Sequence, residues 1–196
     1  MLTHNEVWKR HLHAYSLPLF LLLLALIGQG LGWKESLQYQ RQAVLEGEIW
    51  RLWTAHLVHL SWRHYWLNAA GLVLVWLLFG QLLAVAVWCR HFIVTGFCIS
   101  AGFLLLNPEL VWYVGLSGVL HAAFMIGLLA GARGQLRFTL LVLLIFVGKI
   151  IFEQISGPLP GSTRAAGGPV VVAAHLYGAI AGALSYAIQY GFQKLK

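Results

Sequence analysis

The sequence predicts an all-α membrane protein, a bundle of six transmembrane helices whose long first loop lies at the membrane interface. Three observations lead there. Hydrophobic residues make up 60% of the chain and charged residues 10%, and the mean hydropathy of +0.76 lies outside the soluble globular range. The apolar residues form continuous runs, which fit helices and not the strands of a closed barrel. With about 20 apolar residues needed per crossing, 196 residues hold six crossings joined by short loops and leave no space for a separate soluble domain. Residues 1–196 therefore read as one membrane domain.

The six runs cover about 17–33, 65–87, 92–106, 112–132, 138–152 and 170–192. Lys9 and Arg10 ahead of the first run imitate a secretory signal, but Gly28-Gln29-Gly30 offers no small-x-small cleavage site, so the run is expected to stay as a helix. With the N-terminus inside, Lys9, Arg10, Arg90, Arg133, Arg137, Lys194 and Lys196 face the cytoplasm, against Lys34, Arg41, Arg51, Arg63, Lys149 and Arg164 on or toward the other side. The inside residues lie in short connections or at helix ends, where such charges orient a chain, so both termini are expected inside. The formal charge of +7 is thereby absorbed by topology, and nucleic-acid binding is discarded. Cys89 and Cys98, the only cysteines, suggest neither a disulfide framework nor a thiolate cluster.

Two loops stand out. The segment from Lys34 to Arg63 carries Trp50, Trp53 and Trp62 among Arg41, Glu46, Glu48 and Arg51, a composition suited to the outer interface. The segment from Gly157 to Pro169 is rich in Gly and Pro and reads equally as a cap or a passive linker.

Polar groups at membrane depth are costly, so His56, His59, His64, Asn68, Ser117, His121, Lys149 and His175 should face protein or a wet cavity. At about 1.5 Å per helical residue, Ser117 lies roughly 24 Å from Arg133 and His175 roughly 28 Å from Lys194. Both fall in the outer third of a hydrocarbon core about 30 Å thick. His64 and Asn68 belong to a helix that starts outside, which brings groups from three helices to one level.

Ser117 stands between Gly115 and Gly118, which would let a reacting carbonyl approach, although such stretches more often mark helix packing. His175, Gly178 and Gly182 lie along one helical stripe, so that His175 could reach a serine on a closely packed neighbour and activate its hydroxyl. A buried histidine bonded to backbone is the plainer alternative. His64 and Asn68, four apart, share a face and carry donors that could stabilise an oxyanion or simply join helices. Lys149 is expected to snorkel or to pair with Glu153, not to serve as the base.

Taken together, Glu48-x-Trp50-Arg51, His59-x4-His64-x3-Asn68, Gly115-x-Ser117-Gly118 and Ala174-His175-x2-Gly178-x3-Gly182 resemble the rhomboid intramembrane serine proteases in order and spacing. The resemblance implies a six-helix rhomboid-like bundle in which Ser117 is the nucleophile and His175 the base. It implies an oxyanion hole of His64, Asn68 and the Ser117 N–H, with Trp50, Arg51, His59, Gly115, Gly118, His121, Gly178 and Gly182 as structural support. No metal or other cofactor is implied, and the partners would be the lipid bilayer and transmembrane protein substrates. One departure is His121, where the family commonly has a tyrosine that stacks on the base. The run from Gly115 to His121 and the length of the chain look most like the rhombosortase branch, whose substrates end in Gly-Gly, an apolar helix and a basic tail. That implies a bacterial inner membrane with the active site toward the periplasm. The rival readings are a rhomboid with other substrates, a non-catalytic relative, and a haem- or metal-binding protein drawing on the nine histidines. Against the last, there is no His-Glu-x-x-His and no Asp in the chain.

Overall fold

The computed structural model describes residues 4–132 and 134–194, with side chains described for 15–132 and 134–191. Among these residues the chain forms ten helices and one two-stranded pairing. Helix α1 (His4–Gly30) leads into a connecting segment of three short helices, α2 (Lys34–Leu37), α3 (Arg41–Leu45) and α4 (Arg51–Thr54), with strand β1 (Tyr39–Gln40) between the first two. Helices α5 (Trp62–Phe79) and α6 (Val85–Leu106) follow, then strand β2 (Trp112–Tyr113), α7 (Ser117–Gly131) and α8 (Leu136–Ser156). A short α9 (Ser162–Ala166) precedes α10 (Val172–Lys194). Strands β1 and β2 are antiparallel, Tyr39 opposite Tyr113 and Gln40 opposite Trp112, which ties the connecting segment to the chain entering α7.

Two helices, α6 and α8, are each long and apolar enough to cross a bilayer by themselves; the apolar stretches of α1 (Tyr15–Gly30) and α7 are shorter. Length and hydropathy thus return fewer crossings than the six runs suggest. Helices α5 and α10 spend positions on Arg63, His64 and Asn68, or on His175, Ser185 and Gln189, which dilutes their apolar character. The outward faces are nonetheless hydrocarbon. Leu74, Leu77 and Leu78 of α5, Leu144, Ile145 and Ile155 of α8, and Leu184 and Ile188 of α10 are all exposed, a surface that suits lipid contact.

All six expected runs differ from the helices at one or both ends, the first ending at Gly30 and the third starting at Val85, and two differ in kind. The run 65–87 is broken by a turn after Phe79, where the Gly80 N–H is accepted by the Trp76 carbonyl, and α6 already starts at Val85, so Arg90 lies inside a helix. The apolar sequence continues across that turn, which hid it. The run 112–132 opens with β2 and an irregular stretch, and helix begins only at Ser117. Arg133 and Lys196, and the side chains of Lys9, Arg10 and Lys194, lie outside the described residues.

Helix α7 is the centre, packed against α5, α6, α8 and α10. Its nine buried residues include Gly118, Val119, Ala122, Ala123 and Ile126. The closest approach is to α10. A Cβ on Gly178 would overlap the Gly118 carbonyl oxygen, one on Gly182 would lie 2.5 Å from the Ala122 carbonyl oxygen, and one on Gly118 would lie 2.9 Å from the Ala174 carbonyl oxygen. The two backbones are therefore in contact, as small residues permit between membrane helices. Alanine at Gly178 should gain helix propensity of about 1 kcal/mol but lose about 1–3 kcal/mol to overpacking against an unyielding carbonyl. Gly178→Ala is expected to lower the thermal midpoint in detergent, with Gly178→Leu lower still; an unchanged or raised midpoint for both would contradict this packing.

Candidate active site

Ser117 is the first residue of α7, and the chain before it is held out of helix by local contacts. Gly115 has φ +123°, and the Tyr113 hydroxyl donates to the Gly115 carbonyl at 2.7 Å. A side chain at Gly115 would be strained by that φ and would meet His64 Cε1 at 2.6 Å. The opening backbone N–H groups of a helix have no intrahelical acceptor, so the Ser117 N–H is available beside its own hydroxyl.

Across the α7–α10 contact, His175 Nε2 lies 3.1 Å from Ser117 Oγ. The other ring nitrogen of His175, Nδ1, lies 2.8 Å from Glu153 Oε2 on α8. Lys149, one turn earlier, reaches Glu153 Oε2 at 2.7 Å, the pairing expected from the sequence, and also comes within 2.6 Å of His121 Nε2 and 3.3 Å of His175 Nδ1. The His121 ring stacks on His175 at 4.0 Å and 11°, and its Nδ1 is 2.7 Å from the Ser117 carbonyl oxygen. His121 thus stacks on His175, the place in which the resemblance leads one to expect a tyrosine, and makes two polar contacts through its ring nitrogens.

His64 and Asn68 come from α5. The Leu60 N–H donates to His64 Nδ1 at 3.3 Å, an arrangement that leaves the proton on Nε2. Asn68 is buried, and its Nδ2 has no hydrogen-bond partner among the described residues. Buried atoms of Tyr39, His56, His59, His91 and Gln189 are likewise without a partner among the described residues; what distinguishes Asn68 is that it lines a cavity together with Ser117. Ser117 and His64 line one cavity of about 310 Å³, beneath Val111–Val114 and Pro169–Val171. Ser117, Asn68 and His175 line a second of about 390 Å³ between α5 and α8. The Gly/Pro-rich segment contributes to the lining of both. Ser61 Oγ donates to the Ala166 carbonyl at 2.9 Å, Leu159 and Ser162 line the second cavity, and Ala166 lines the first.

The supporting residues divide. Arg51 is buried, pairs with Glu48, and donates to the Glu35 and Gln38 carbonyls at 2.8 and 2.9 Å, which locks the connecting segment. Trp50, by contrast, is exposed at the head of α4. His59 is buried with its ring edge-on to those of His64 and Tyr65, at 5.1 and 5.7 Å. His56, also buried, bonds the Gly96 carbonyl at 3.0 Å, away from Ser117. Gly118, Gly178 and Gly182 all lie in the α7–α10 contact.

Glu153 is the residue that sequence reasoning did not place at the site, since it was read only as a partner for Lys149. A signal was present: an acidic residue inside an apolar run must face protein. Helix α8 buries only Thr139, Ile150 and Glu153. The ligand atoms of His121, Glu153 and His175 lie within 4.8 Å of one another, close enough to grip a cation. The Lys149 ammonium is itself within 3.3 Å of all three and supplies the positive charge there.

A family model for the rhomboid domain matches residues 46–191. The chain belongs to the rhomboid family, a family of intramembrane serine proteases. None of the curated proteins compared with it matches the chain. A side chain at Gly115 would meet both the positive φ and the His64 ring. Gly115→Ala should destabilise the fold by about 1–3 kcal/mol, read as a lower thermal midpoint; a variant as stable as the parent would show that the turn before Ser117 can relax.

Proposed function

We propose that the chain is an intramembrane serine endopeptidase that cuts membrane-anchored proteins with Ser117 as nucleophile and His175 as base. The observation that carries this reading is the 3.1 Å approach of His175 Nε2 to Ser117 Oγ at the head of α7, the geometry a hydroxyl nucleophile needs to lose its proton. Ser117 Oγ attacks the peptide carbonyl as its proton passes to His175 Nε2. The carbonyl oxygen becomes an oxyanion stabilised by the Ser117 N–H, His64 Nε2–H and Asn68 Nδ2–H. His175 then gives the proton to the leaving amine, and water releases the acyl group by the same steps in reverse order.

In this reading residues 1–196 form a single domain with six crossings of a bacterial inner membrane, both termini in the cytoplasm and Ser117 toward the periplasm. The cavity between α5 and α8 suits lateral entry of a substrate helix, since its lining is mostly apolar and includes the exposed Leu74. The branch is that of the rhombosortases, supported by the run from Gly115 to His121. The substrate would then carry a C-terminal Gly-Gly motif, an apolar helix and a basic tail. The surrounding lipid and that protein substrate are the partners; no cofactor takes part.

The test is cleavage of a reporter with Gly-Gly, helix and basic tail by the reconstituted protein, with the masses of both products determined. Ser117→Ala and His175→Ala are expected to fall to background while remaining folded. Turnover by Ser117→Ala above a few per cent of the parent would remove it as nucleophile. His64→Ala and Asn68→Ala should each lower kcat by about 100- to 1000-fold, the usual cost of one oxyanion donor. Equal cutting of a reporter in which the Gly-Gly pair is replaced would favour a rhomboid protease with other substrates.

A further inference from the structure

The polar contacts around Ser117 close on themselves. Ser117 Oγ meets His175 Nε2 at 3.1 Å, His175 Nδ1 meets Glu153 Oε2 at 2.8 Å, and Glu153 Oε2 meets Lys149 Nζ at 2.7 Å. Lys149 Nζ then meets His121 Nε2 at 2.6 Å, and His121 Nδ1 meets the Ser117 carbonyl at 2.7 Å. The circuit starts and ends on one residue.

Only one simple assignment of protons satisfies every link. The Ser117 carbonyl can only accept, so His121 carries its proton on Nδ1, and its Nε2 must accept from Lys149. Lys149 is a pure donor and Glu153 a pure acceptor, so the ammonium also donates to the carboxylate. Glu153 has capacity for a second donor, which is His175 Nδ1–H. That leaves His175 Nε2 with its lone pair directed at the Ser117 hydroxyl. Both imidazoles are then neutral, and one cation balances one anion, so the circuit carries no net charge into a setting that penalises charge heavily. The 3.3 Å separation of Lys149 Nζ from His175 Nδ1 becomes a contact between two donors, tolerable only because Glu153 accepts from both.

We propose that Glu153 is the orienting third member of the site, fixing the tautomer and ring direction of His175, and that Lys149 is the counter-charge that holds Glu153 in this task. This rests on the protease reading above and adds to it a carboxylate on α8. When the proton of Ser117 moves to His175 Nε2, the imidazolium faces a carboxylate already in place. The proton later leaves to the amine, and neither Glu153 nor Lys149 changes its own proton count. Lys149 lets His175 rest as a neutral base, because the carboxylate's charge is already matched. Both are positioning residues, acting through His175.

The effect of removing Lys149 should reverse its sign with the background. Glu153→Gln should lower kcat on the membrane reporter by about 100-fold or more, since an amide can hold the wrong tautomer and a small misplacement of the base is expensive. KM should change little. It also leaves the Lys149 ammonium uncompensated beside the forming imidazolium. Lys149→Met should therefore lower kcat in the parent, by less than Glu153→Gln does, yet raise kcat when added to Glu153→Gln. Thermal midpoints in detergent are followed in parallel, and Glu153→Asp, which retains the carboxylate one methylene shorter, should exceed Glu153→Gln in kcat. A purely structural ion pair would instead lower the midpoint and leave kcat per folded molecule unchanged. Parental kcat for folded Glu153→Gln, or a double variant no faster than Glu153→Gln alone, would overturn the proposal. Undiminished cutting by Ser117→Ala is a separate result that would overturn the protease reading itself.

Discussion

Helices α7 and α10 touch backbone to backbone, and most of what is distinctive about the molecule follows from that contact. Hydrocarbon side chains cannot hold membrane helices together by escaping water, because the surroundings are as apolar as they are. Close packing and hydrogen bonds must do it instead. Gly118, Gly178 and Gly182 remove the side chains that would keep the two helices apart. The same stripe that lets the backbones meet carries His175 one turn before Gly178, and the same approach brings its ring to Ser117. Packing and site geometry are therefore one feature, and a change that loosens the first displaces the second.

The second organising element is the way charge is housed. Lys149 and Glu153 lie on a helix whose other residues mostly face outward, and Glu153 is among the few positions that α8 buries. Helix α8 docks through the contacts of Glu153 with His175 and of Lys149 and Phe146 with His121 as much as through apolar contact. A buried ion pair seldom contributes much net stability, because desolvation offsets attraction. Its value here is geometric. It confines the ring of His175 between a carboxylate at Nδ1, a stacked imidazole on its face and a hydroxyl at Nε2.

What the sequence made legible follows depth and order. Counting helical rise from the ends expected to be cytoplasmic brought Ser117 and His175 to one level, and the stripe of His175, Gly178 and Gly182 indicated a close partner; the structure has these residues in contact. His64 and Asn68 could be placed on one face of a helix because they are four apart. Hydropathy failed where chain direction changes inside a continuously apolar segment, as at the turn after Phe79. It failed again at Val114–Leu116, where a positive φ at Gly115 and a tyrosine hydroxyl bond, neither visible in hydropathy, delay the start of α7 to Ser117. Glu153 was missed for a different reason. Pairing with Lys149 explained it locally, and only the tertiary fold reveals that the same carboxylate oxygen also serves His175.

The central claim is that this contact makes Ser117 a nucleophile. Treating the detergent-solubilised protein with a fluorophosphonate and mapping the adduct by peptide mass spectrometry tests it most directly, since Ser185, also beside a histidine at 2.7 Å from His91 Nδ1, provides an internal comparison. The account expects the adduct on Ser117, lost in His175→Ala and retained in His91→Ala. An adduct on Ser185, or labelling of Ser117 that survives removal of His175, would contradict it.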